Sequence, residues 1–112
     1  MFQDQPPEEE RSAPRLHVPV GVSVSLILAT KQSVFVNLRD VSEKGACVLR
    51  QGTLEVKEDD QVIFVVRDYD SGLDIRLLCT VRWLRATGFS TYVGLSFING
   101  TLSQDSLTRL AT

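Results

Sequence analysis

The chain has 112 residues, 43% of them hydrophobic and 23% charged, with a net charge of −2. That is one domain, long enough to bury a core without metal or disulfide staples. Residues 1–10 hold four acids and no base, so residues 11–112 carry ten acids against twelve bases, or +2. A surplus that small excludes a general binder of nucleic acid polymers, which needs a dense basic face, and suits one small anion held by a few directed contacts.

In chain order, residues 1–10 are Gln-, Pro- and Glu-rich and cannot bury apolar surface, which predicts a disordered acidic tail or linker ahead of a domain over 11–112. Arg11-Ser12-Ala13-Pro14-Arg15 follows, and Pro14 argues against a helix there, because it removes a backbone donor and biases Ala13 to extended geometry. From Leu16 the period is two: Val18, Val20, Val22, Val24, Leu26 and Leu28 mark a long half-buried strand, with Pro19 and Gly21 at an edge or bulge near its start. Thr30-Lys31-Gln32 reads as a turn and Ser33 to Leu38 as a second strand; Arg39 to Gly45 reads as a turn-prone interruption before a short strand over Ala46 to Leu49.

Beyond Gly52, Leu54 to Asp60 reads as a polar connection, and Val62 to Val66 as an apolar run of strand length. Asp70-Ser71-Gly72 is a hairpin signal leading into a long alternating strand from Leu73 to Trp83. Ala86-Thr87-Gly88 turns the chain into a last strand from Phe89 to Phe97, and alternation assigns both Trp83 and Phe89 to the core. Ser103 is placed to cap a final short helix carrying Leu107 and Leu110. Together these elements predict an all-β fold, a small six-stranded antiparallel β-barrel with a short C-terminal helix.

Several functions are expected to be absent. Cys47 and Cys79 sit in apolar strand-like runs without metal-ligand spacing, which reads as buried thiols in a reducing cytoplasm and no metal site. His17 has no catalytic companion and reads as structural; Asp68, Asp70 and Asp74 read as a solvated hairpin end. The chain is therefore not expected to be an enzyme or to need a cofactor. Val18 to Ala29 is interrupted by Pro19, Gly21, Ser23 and Ser25, and Met1-Phe2-Gln3-Asp4 lacks a signal-peptide pattern, so no membrane insertion and a cytoplasmic location are expected.

Chemistry concentrates in two pieces, an RxxxR pair at Arg11 and Arg15 and a DxSxxG segment at Asp40, Ser42 and Gly45, separated by 24 residues. Arginine forks suit phosphate oxygens and the O6/N7 edge of guanine. The Asp40 carboxylate suits the N1 and N2 donors of guanine, and the Ser42 hydroxyl suits a phosphate oxygen. Gly45 permits positive φ or close approach of a ligand to the backbone. The set complements an anionic guanine nucleotide. Read for structure alone, Asp40 and Ser42 would only shape a loop by bonding their own backbone.

These two pieces resemble the signature of the PilZ family, RxxxR followed at a strand-sized interval by [DN]xSxxG, and Gly94-Leu95-Ser96-Phe97 resembles the glycine-x-x-phenylalanine pattern of its last strand. The resemblance implies a barrel that binds cyclic di-GMP through Arg11, Arg15, Asp40, Ser42 and Gly45. It also implies that the 11–15 strap rearranges on binding and relays the signal to an effector protein or adjacent domain. A ligand-free barrel serving as a protein-interaction module is the alternative. Two positions depart from the pattern: Glu10 stands where many members have a further base, which favours one bound ligand over a stacked pair, and Pro14 stiffens the strap.

Overall fold

The computed structural model describes residues 21–110. The acidic tail, the strap with Arg11, Pro14 and Arg15, His17, and the head of the first strand with Pro19 lie outside the described residues. Seven strands and one helix follow: β1 (Val22–Ile27), β2 (Ser33–Phe35), β3 (Asn37–Ser42), β4 (Gly45–Gln51), β5 (Gln61–Asp68), β6 (Leu73–Thr87), β7 (Ser90–Phe97) and α1 (Gln104–Leu110). They form one sheet in the order β2-β1-β5-β6-β7-β4-β3, antiparallel throughout.

The sheet must curl, because its two edge strands are neighbours in sequence. Only Val36 separates β2 from β3, and its N–H donates to the Val24 carbonyl of β1 at 3.1 Å. One segment thus pairs first with β1 and then with β4, drawing the edges of the sheet together into a barrel-like shell. The single second strand expected over Ser33 to Leu38 is divided at this residue, and the expected interruption at Arg39 to Gly45 is mostly strand. Seven strands replace six for that reason.

Period-two residues fill the inside: Val24, Leu26 and Leu28 from β1 and its end, Val62, Phe64 and Val66 from β5, and Cys79 and Val81 from β6. Phe64 and Phe97 meet with ring centroids 5.6 Å apart. The Leu54 to Asp60 connection is less polar in its role than its sequence suggests, since Leu54 and Val56 are buried in the core. At the far end Ser103 caps α1, its Oγ accepting from the Ser106 N–H at 3.1 Å, and Leu110 enters the core with Leu107 against it. No described helix is long and apolar enough to cross a membrane.

Two sequence expectations about aromatic residues change. Phe89 is not a core residue: it lies in the turn between β6 and β7 and is 89% exposed. Trp83 is buried, at 6% exposure, but in a separate cluster with Cys47, Leu49 and Tyr92 rather than in the main core. The cause of the second change is a slip in the strand, which also builds the candidate site.

Candidate functional site

Two strands carry a β-bulge, and the bulges flank the same pair of strands. In β3 the register shifts between Leu38 and Asp40, and in β6 between Val81 and Trp83; β4 and β7 lie between them. Leu38 and Val41 turn inward, so Arg39 and Asp40 both fall on the outer face. Likewise Val81 is in the core and Leu84 pairs with the core residue Val93, leaving Arg82 and Trp83 outside. An extra residue in one strand re-aims its side chains, and each bulge here adds a charged or aromatic group to the outside of the shell.

Cross-strand partners share a face, so the register gives the layout of the site. One row runs Asp40, Cys47, Gly94, Trp83 across β3, β4, β7 and β6. The next row runs Ser42, Gly45, Ser96. Asp40, Ser42 and Gly45 are therefore contiguous on the outer face, as two adjacent rows. A side chain at Gly94 would collide with the indole of Trp83, so the absence of a Cβ there is what lets the ring lie across β7.

The hairpin that carries the motif is tied down. Glu43 and Lys44 form its two-residue turn, and their carbonyls accept from Leu102 at 3.0 Å and Phe97 at 2.9 Å. Ser42 Oγ accepts a long bond from the Lys44 N–H, 3.4 Å, which shapes the turn and leaves the hydroxyl proton to donate elsewhere. Gly45 is not among the residues of positive φ; it is buried in extended backbone, so what it contributes is the lack of a side chain and not an unusual dihedral. Beneath the motif, burial pushes the Cys47 thiol up to about 11, partly offset by the Arg39 guanidinium, while the Asp40 charge adds to the rise. Those influences put Arg39, Asp40 and Cys47 in one electrostatic group. Arg39 Nε is buried with no hydrogen-bond partner.

The family model for the PilZ domain matches residues 9–112. The chain belongs to the PilZ domain family. The match begins ahead of Arg11 and so spans both halves of the signature. Among solved structures this PilZ domain is similar to MrkH of K. pneumonia in its apo state, with a TM-score of 0.59 and 12% identity. The alignment covers 94% of this chain and 49% of that one, so the PilZ domain spans about half the length of that neighbour. At such identity the likeness is one of fold. No curated protein matches the chain.

In the PilZ domain, then, the second half of the signature is a bulged strand and its hairpin, while Arg11 and Arg15 lie outside the described residues. Sequence reasoning missed Arg39, Trp83, Gly94 and Ser96 as members of the same face. Arg39 adjoins Asp40 in the chain, but a regular strand would send neighbours to opposite faces, and nothing in the sequence announces the bulge. The aspartates near the β5–β6 hairpin do not form a solvated group of three. Asp68 is 3% exposed, and its Oδ1 accepts from the Asp70 N–H at 3.0 Å, so it shapes the turn. A second hollow, about 510 Å³, is lined by Gly52, Thr53, Ala86, Gly88 and Phe89 at the β6–β7 hairpin, away from the motif.

Proposed function

We propose that this PilZ domain is a cytoplasmic, non-enzymatic receptor for cyclic di-GMP, needs no other cofactor, and binds its ligand on the outer face of β3 and β4. In this reading Asp40 accepts from the N1 and N2 donors of a guanine, Ser42 donates to a phosphate oxygen, and Gly45 gives the ligand a bare stretch of backbone. Arg11 and Arg15 supply guanidinium forks from the strap, which orders over the ligand and passes the change to an effector protein or adjacent domain.

The observation that carries the proposal is the bulge at Arg39. Without it, Asp40 and Ser42 would both turn to the core; with it, both stand on the outer face of a hairpin held by two backbone bonds. A loop-forming role for Asp40 would not require that placement. Calorimetric titration with cyclic di-GMP, GTP and single-stranded DNA tests the ligand class, and only the first should bind tightly. Asp40→Ala should cost about 1–3 kcal/mol of binding. Its circular dichroism should remain that of the wild type. Normal binding by the variant, or unfolding, would leave the motif as a loop-former and remove this reading.

A further inference from the structure

We propose that Arg82 is a third guanidinium of the ligand site and contacts a phosphate of the bound cyclic dinucleotide; this rests on the reading of the face just given. Arg82 lies outside both signature motifs and comes from β6, three strands from Asp40 in the sheet.

Direction is the first argument. Arg82 is exposed, and an exposed arginine by default reaches into water. Instead its Nη1 lies 3.4 Å from Ser96 Oγ, so the side chain reaches onto β7, on the side of β6 that leads to β4 and the motif hairpin. Ser96 pairs with Gly45, and Gly45 pairs with Ser42. Three adjacent strands span roughly 10 Å, so the row begins at the Ser42 hydroxyl and ends, about that far away, under the Arg82 guanidinium. Between them Gly45 contributes no side chain. The result is a track with a hydroxyl at one end and a cation at the other.

Charge is the second argument. Arg67 and Arg76 are each paired with Asp74, whereas Arg82 bonds the neutral Ser96. The bond to Ser96 is long and engages one of the five donors of the guanidinium. A cation left with its donors open beside a track that already offers a hydroxyl is fitted to a phosphodiester. Its guanidinium meets the Ser42 row, at Ser96, and not the Asp40 row that would read the guanine, which favours phosphate over base.

The test uses the full chain with Arg82→Ala, Arg82→Lys and Asp40→Ala, titrated with cyclic di-GMP at several salt concentrations. Arg82→Ala should bind roughly ten- to a hundredfold more weakly. Its affinity should also vary less with salt, because one charge contact is gone. Arg82→Lys should fall between, keeping the charge and losing the fork. Both should match the wild type in urea unfolding. Unchanged affinity in Arg82→Ala, with Asp40→Ala still impaired, overturns the assignment and leaves the ligand reading intact. Weaker binding with undiminished salt dependence also overturns it, since Arg82 would then act by shaping β6. If the wild type takes up no cyclic di-GMP, both readings fall together.

Discussion

Gly94→Ala tests the geometry of the outer face most directly. Gly94 is not a residue of positive φ, so alanine meets no backbone penalty there; any cost is steric. The new methyl would fall on Cε2 and Nε1 of the Trp83 ring, with Cδ1 2.9 Å away. The ring cannot yield cheaply, because it is 6% exposed and packed with Cys47, Leu49 and Tyr92. If the neighbours adjust, overpacking costs about 1–3 kcal/mol. If the indole is expelled, some 200 Å² returns to water at about 25 cal/mol per Å², or about 5 kcal/mol. We expect about 2–4 kcal/mol, between these limits. Trp83 is the single tryptophan of the chain, so its emission should shift to the red in Gly94→Ala while urea unfolding gives the loss of stability. A double-mutant cycle with Trp83→Ala, followed by circular dichroism, isolates the contact: without the indole, Gly94→Ala should cost almost nothing. Equal cost in both backgrounds, or native stability and emission in the single variant, would refute the reasoning.

Two further outcomes are expected. The amides of residues 8–16 should gain exchange protection when cyclic di-GMP binds and lose that gain in Arg15→Ala; equal protection with and without ligand would remove the strap from the signal while leaving binding untouched. Burial raises both thiols, Cys47 to about 11 and Cys79 to about 12, above the ordinary value of 9.0. The folded state therefore holds protons that the unfolded chain releases, so these thiols stabilise the fold fully below about pH 9, and that contribution declines as pH rises toward 11–12. Urea midpoints measured from pH 8 to 11 check the direction, and a Cys47→Ser/Cys79→Ser chain that declines as steeply would assign the loss to other groups.

Much of this protein was legible in its residues. The long alternating strand from Leu73, the Asp70-Ser71-Gly72 hairpin, the buried thiols and the Ser103 cap each follow from a local rule, and each stands in the structure. The signature at Asp40, Ser42 and Gly45 was readable because its residue types are specific to their chemistry and close together in the chain. What sequence could not supply was the face on which those residues stand. Period-two reasoning assumes an unbroken ladder, and a bulge inserts one residue that reverses every assignment beyond it. That is why Trp83 was assigned to the core when it packs outside, over Gly94, and why Arg39 and Asp40 share a face their adjacency would deny. Phe89 failed for a different reason: it was counted as the first strand residue when it belongs to the preceding turn. The row from Ser42 through Gly45 to Ser96, with the Arg82 side chain bonded at its end, draws on four strands. Only the pairing of strands distant in the chain brings them together, and that pairing is set by closing the shell around its core, which no local pattern encodes.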